Sequence, residues 1–301
     1  MIRSGAQLLF RYHQLLSTAK DPLQRMHILD DDIWIPKKAV LIVSSGRTGT
    51  HFLGHFFQEN FDKTFSIHEP KPDCFDINQH LLRKDITPHR AGEMFKMYRR
   101  DLFISLKQEG YVNYVESNPN ILALIPVLKN MFQKCRVVHI VRDGKEVVRS
   151  LYSRDVYGKW SGTVPFFSDR DPRERLNAQF FPDDPYHAKW ETMSRFERIC
   201  WIWAKKNALL GRFVKNDPHA RTYKFSSLFV NKNPDVWEDL INFTGLKEDL
   251  INQDYLDYVA HMKSNAVKQY LLPEYEDWPD HYKDAFEEIA GPQMERYGYD
   301  I

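Results

Sequence analysis

Two rhythms of apolar residues alternate along this chain. Short runs bounded by turn formers, the first of them rich in β-branched residues, read as strands. They fall at 40–43 (Val40, Leu41, Ile42 and Val43, with Pro36 behind and Gly46 ahead), at 63–69 up to Pro70, at 111–116 before Ser117, Asn118 and Pro119, at 136–141 and at 222–225. Between them apolar residues recur at helical spacing. That spacing predicts helices over 51–60 (Phe52, Leu53, Phe56, Phe57), most of 77–110, 120–133, 192–215, 235–243 closed by Gly245, and 280–297 closed by Gly298. Another helix starts at 142–146, where Asp143 and Glu146 have the spacing of a capping box.

Strands that alternate with helices predict a parallel sheet covered on both faces, a three-layer α/β/α architecture. Ligands of such sheets bind beyond the carboxyl ends of the strands. The pattern therefore gathers Arg47, His68, Glu69, Asn118 and Arg142 along one edge. The rhythm dissolves over 155–191, where Tyr157, Trp160, Phe166, Phe181 and Trp190 stand among prolines, glycines and charges. Irregular stretches of that length inside compact domains are usually functional. No Gly/Ser-rich or Pro-rich linker divides the 301 residues. The expectation is one α/β domain over 1–301, with 155–191 as an insertion suited to acceptor binding.

Composition narrows the function. A net charge of +1 argues against a nucleic-acid-binding surface, so an anionic ligand must be met by a local cluster of cations. Aromatic residues at 14% suit a thick core or a pocket for rings. The three cysteines, Cys74, Cys135 and Cys200, are scattered without metal spacing or a disulfide framework, which points to a reducing compartment. The stretch 1–20 is interrupted by Arg3, Arg11, His13 and Gln14 and has no apolar run long enough for a signal peptide or membrane anchor. It reads as a weak amphipathic helix, and the chain as a soluble, cytoplasmic protein.

The chemistry concentrates where the first strand ends. Ser44, Ser45, Gly46, Arg47, Thr48, Gly49, Thr50 and His51 separate the strand from a helix. A strand, a Gly/Ser/Thr turn and a helix N-terminus make an anion cradle, because backbone N–H groups converge and the helix adds partial positive charge. The turn is no Walker A loop: Gly46 and Gly49 are too close, and no lysine precedes a hydroxyl residue. The segment Ser45-Gly46-Arg47-Thr48-Gly49-Thr50 instead resembles the 5′-phosphosulfate loop of sulfotransferases that use 3′-phosphoadenosine 5′-phosphosulfate (PAPS).

A second stretch strengthens that resemblance. Val137 to Ser150 is similar to the 3′-phosphate-binding strand and helix of the same family, where an arginine ends the strand and a serine follows eight residues later, here Arg142 and Ser150. A guanidinium at a strand tip forms charge-assisted bonds to phosphate. Ser150 lies two helical turns beyond Asp143, on the side of the helix mouth. Residues 114–119 resemble the family's third-strand segment, although this chain lacks the Lys-Thr often found before the proline. Residues 222–228 and the Gly298-Tyr299 ending resemble its late strand and its close.

The resemblance implies a P-loop-NTPase-like sulfotransferase fold with helical and loop insertions, PAPS as co-substrate, 3′-phosphoadenosine 5′-phosphate (PAP) as product, and a hydroxyl-bearing acceptor such as a carbohydrate, glycolipid or small alcohol. Its cofactor-binding set maps to Ser45, Gly46, Arg47, Thr48, Gly49, Thr50, His51, Arg142 and Ser150. Arg47 would bridge the sulfuryl group and the leaving phosphate. Glu69 is the favoured base, with His68 as its orienting partner or the base itself. Lys263 or Lys268 could close over the 3′-phosphate, although both also suit a solvated surface. His139, mid-strand among valines, reads as a core histidine. No His/Cys/carboxylate cluster has metal-ligand spacing, so no metal is expected. The alternatives are a P-loop-like nucleotide kinase and a non-catalytic binding protein of the same fold.

Overall fold

In a computed structural model the described residues are 34–154, 156–158, 175–246 and 270–301. The helix expected over 1–20, most of the 155–191 aromatic stretch's first half, Lys263 and Lys268 lie outside them.

The runs read as strands form a five-stranded sheet. Its strands are β1 (Lys38–Ser44), β2 (Thr64–His68), β3 (Asn113–Ser117), β4 (Lys134–Val141) and β5 (Ala220–Lys224). All pairings are parallel and the order is β2-β3-β1-β4-β5. Ile42 and His68 both register with Ser117, and Ser44 registers with Ile140, so the carboxyl ends of β1 to β4 lie level. The chain leaves β1 towards β2 on one side and leaves β4 towards β5 on the other. The crevice between the tips of β1 and β4 is therefore the topological switch point, where open α/β sheets bind ligands.

Both faces of the sheet are covered, which is why β1 is apolar without alternation. Val40, Ile42, Val115, Val138 and Ile140 pack against helix α1 (Thr50–Asn60), through Phe52, Leu53, Phe56 and Phe57. Ala39, Leu41, Val43, Phe65 and Tyr114 face the opposite layer. That layer includes α2 (Phe75–Arg83), α3 (Pro88–Gln108) and α4 (Ile125–Met131). Beyond β4 come α5 (Gly144–Tyr152), α6 (Arg195–Val214), α7 (Pro234–Thr244) and α8 (Asp280–Arg296). Helices α5, α6 and α8 build their own core around Val147, Phe196, Trp203, Phe286 and Met294. Among the described residues no helix is long and apolar enough to cross a membrane.

Three local expectations change. The helical stretch 77–110 is two helices, because Lys84 turns left-handed at φ 65° and Thr87 caps a new helix that opens with Pro88. The stretch 120–133 begins with a 3₁₀ turn, Pro119–Leu124, before α4. Asp143 does cap α5, accepting from the Lys145 N–H at 2.8 Å, but Glu146 does not complete a capping box. Its carboxylate is drawn to Arg142 at 3.0 Å and Arg149 at 3.3 Å. Guanidinium partners on both sides outcompete the backbone N–H.

Candidate active site

The turn between β1 and α1 folds because three of its residues accept left-handed backbone angles. Gly46, Arg47 and Gly49 have φ of 98°, 60° and 74°. The turn is pinned at its base by the Gly46 N–H, which donates to Ser44 Oγ at 3.0 Å. Gly49 is the N-cap of α1, and no side chain caps that helix. Its first N–H groups lack intrahelical partners by construction. A Cβ on Gly49 would stand 2.8 Å from the Phe229 ring, so glycine is also what lets that aromatic close over the turn. Inside the turn, the buried Ser45 Oγ and Thr48 Oγ1 have no hydrogen-bond partner. Buried hydroxyls in native structures are normally paired. Two orphans in one anion cradle fit a site shaped for phosphate or sulfate oxygens.

Three residues remote in sequence meet at this turn. Arg142 Nη1 donates to the Arg47 carbonyl at 2.9 Å, and Arg47 Nε donates to Ser150 Oγ at 2.8 Å. Arg142 is fixed from behind as well. Trp203 Nε1 donates to its carbonyl at 3.2 Å, Glu146 holds its other nitrogen, and its guanidinium lies 4.4 Å over the Phe225 ring. Helix α5 can start this close to α6 and α8 because Gly144 has no side chain; a Cβ there would meet Met294 and Trp203 at about 3 Å. Burial, then the charges of Arg154 and Arg142, pull Arg47 down to about 10. Arg47, Arg142 and Arg154 thus crowd like charge around one turn, a cluster that suits an anion.

Sequence reasoning missed Arg154 and Phe229. Arg154 stands one turn past Ser150, an i, i+4 spacing that could have flagged it. Phe229 lies in the turn of π-helix over Ser226–Val230 and meets Gly49 only through the tertiary fold.

The histidine–glutamate pair occupies the tip of β2. His68 Nδ1 hydrogen-bonds the Ser117 carbonyl at 2.9 Å, so Nδ1 carries the proton and the basic lone pair is on Nε2. Burial, the largest influence, pushes His68 down to about 4, and the nearby His55 and Lys71 add to the effect. Strand alternation would send Glu69 to the opposite face. It does not, because Glu69 leaves the ladder with φ 45° and its Oε1 comes within 3.7 Å of His68 Nε2. The Glu69 N–H still donates to the same Ser117 carbonyl, at 3.0 Å. Ser117 also donates its hydroxyl to the Thr50 carbonyl at 2.6 Å, tying the pair to the start of α1. Glu69 lies close enough to act on Arg47 electrostatically, so the pair and the turn share one field.

His51 is placed differently from the rest of its set. Its ring lies against His55 and His68, with centroids 4.6 and 5.2 Å away. His139 is fully buried, bonded to Asn207 and Thr222, and remote from the turn's chemistry. Asn118 is spent on structure: its side chain caps the 3₁₀ turn and donates to Glu116 and to the Asp73 carbonyl. Among the described residues no group of three or more His, Cys, Asp or Glu could hold a metal ion.

No protein-family model and no curated protein matches the chain. Several solved sulfotransferase structures are similar to it. The sulfotransferase domain from the curacin biosynthetic pathway is 11% identical, with 89% of this chain and 99% of that one covered and a TM-score of 0.48. A sulfotransferase from Alicyclobacillus acidocaldarius is 12% identical, with 89% and 98% covered and a TM-score of 0.47. Mouse sulfotransferase SULT7A1, complexed with PAP, is 14% identical, with 88% and 87% covered and a TM-score of 0.46.

Proposed function

We propose that the chain, as one domain over 1–301, is a PAPS-dependent sulfotransferase that moves a sulfuryl group to a hydroxyl of a carbohydrate, glycolipid or other small acceptor by in-line displacement. Its three free cysteines suit work in the cytoplasm. One observation carries the reading. Arg142, Arg47 and Ser150 join in a hydrogen-bonded chain at the switch point, beside two buried hydroxyls without partners.

PAPS supplies an activated sulfuryl group on a phosphate leaving group. The protein's part is positioning and charge stabilisation. The N–H groups of Thr48, Gly49 and Thr50, with the Ser45, Thr48 and Thr50 hydroxyls, would hold the 5′-phosphate. Arg47 is the cation placed to meet charge growing on the leaving oxygen. Arg142 and Ser150 would hold the 3′-phosphate, which separates PAP from ordinary adenine nucleotides. His68 and Glu69 would act as one base: the acceptor proton arrives at Nε2, and the Glu69 carboxylate 3.7 Å away stabilises the imidazolium. A positioned base contributes about 10²–10⁴ in rate. The aromatic stretch 155–191 would form the acceptor side.

A thermal-shift titration with PAP tests this, with ATP and Arg142→Ala as controls. PAP at about 100 times its dissociation constant should add about 2.7 kcal/mol of stability. ATP should add little, and the variant should lose the effect. No shift with millimolar PAP would sink the reading.

A further inference from the structure

Three imidazoles form a line from the base to the surface. His51 and His55 stand four residues apart on α1 and so share a face. His68, at the tip of β2, can approach that face because Gly54 leaves a flat spot on it. A Cβ on Gly54 would lie 3.1 Å from His68 Cβ. The His51 ring sits between the other two, edge-on to His68 with centroids 5.2 Å apart and tilted against His55 at 4.6 Å. Exposure rises along the line. The His68 side chain is 20% exposed, His51 is half-buried and His55 is open to solvent. His51 Nδ1 is buried without a hydrogen-bond partner, an arrangement a core imidazole avoids.

We propose that His51 is a relay residue, which takes the proton received by His68 and passes it through His55 to solvent. The inference rests on the sulfotransferase reading for the source of that proton. The acceptor O–H bond breaks and its proton binds the Nε2 lone pair of His68; the acceptor oxygen forms its bond to sulfur as the bond from sulfur to the 5′-phosphate oxygen breaks and PAP leaves. His68 imidazolium gives one proton to His51, His51 gives one to His55, and His55 releases one to water. Each ring ends neutral, and one proton leaves for each sulfate ester formed.

Burial and like charge disfavour a proton on either inner ring. His68 is held down to about 4 by burial, and His51 is held below its ordinary value by burial and by its two histidine neighbours. The other charged groups acting on the line are Glu69, which favours a proton on His51, and Lys71, which disfavours one on His68. Without the relay, an imidazolium on His68, disfavoured by burial and by Lys71, would have to discharge into water directly.

The test reads proton exchange at each imidazole by NMR relaxation dispersion on ¹³C-labelled histidine, in the free protein and with PAP. In His51→Phe the exchange rate at His68 should fall by about 10²-fold, the scale set by one positioned acid–base group. Free imidazole in the buffer should restore it. His55→Gln should give a smaller loss, also restored by imidazole. His51→Gln serves if the phenylalanine variant does not fold. Unchanged exchange at His68 in either His51 variant, or a loss that imidazole does not restore, would overturn the relay. That outcome is separable from failure of the functional reading, which shows as absent PAP-induced shifts while exchange in the free protein still answers the relay question.

Discussion

Arg47 Nε donates to Ser150 Oγ at 2.8 Å, joining the turn after β1 to the second turn of α5 across 103 residues of chain. The hydroxyl uses a lone pair here and keeps its own proton to offer a phosphate oxygen. Under the proposed function Ser150 would therefore serve the cation and the ligand together. Ser150→Ala should weaken PAP binding by about tenfold or more, since a hydrogen bond to a charged group contributes about 1.5–3 kcal/mol. Isothermal titration of Arg47→Ala, Ser150→Ala and the double variant should show a coupling of about 0.5–3 kcal/mol. Strict additivity would mean that the bond does not matter for binding.

Gly49 answers to two constraints at once. Its φ of 74° disfavours any side chain, and a Cβ would strike the Phe229 ring. Gly49→Ala should cost about 1–3 kcal/mol in urea unfolding, from backbone strain and overpacking together. Adding Phe229→Leu should recover only the overpacking share. Full recovery would show that the left-handed angle carries no cost.

Acid should unfold this protein through two histidines. His68 and His139 are both held at about 4 by burial, against 6.5 for a free imidazole. Between those values the unfolded chain binds protons that the folded one refuses, so stability is full above about 6.5 and falls as pH drops towards 4. Each group accounts for up to about 3 kcal/mol over that window. Urea midpoints at pH 7, 6 and 5 should fall steadily, and His139→Gln should flatten the slope. A profile equally steep in that variant would remove His139 from the account.

What was legible in the sequence was what the backbone dictates locally. The turn around Gly46 and Gly49, and β1 to β5, follow from strand and helix patterns, whereas the pairing of Arg142 with Ser150 rests on the family resemblance. Lys84 hid a helix break because a lysine in a left-handed cap leaves no glycine to read. Glu146 suggested a capping box because spacing cannot weigh the pull of Arg142 and Arg149 on its carboxylate. Glu69 escaped strand alternation through a single backbone angle, and that angle brings it to His68. Phe229 and the His51–His68 contact are tertiary, joining elements whose separation in sequence carries no signal.

The segment after Glu69 is held by a fully buried ion pair. Arg99, on α3, meets Glu116, on β3, through Nε at 3.0 Å and Nη2 at 2.7 Å, with neither side chain exposed. Tyr114 and Asn118 donate to the same carboxylate, which is held below the usual range chiefly by Arg99 despite its burial. Arg99 Nη1 also donates to the Pro72 carbonyl at 2.6 Å, and Asn118 to the Asp73 carbonyl at 3.1 Å. The pair thus fastens residues 72–73 to the sheet, three to four residues beyond Glu69, the proposed base. Removing one partner strands the other charge in the core, so Arg99→Met should cost about 3–5 kcal/mol. Arg99→Met with Glu116→Leu should recover part of that loss, because no uncompensated charge remains. The recovered protein should still turn over slowly, since the Pro72 carbonyl has lost its donor. Wild-type kcat in the stable double variant would show that the ion pair holds the core and not the site.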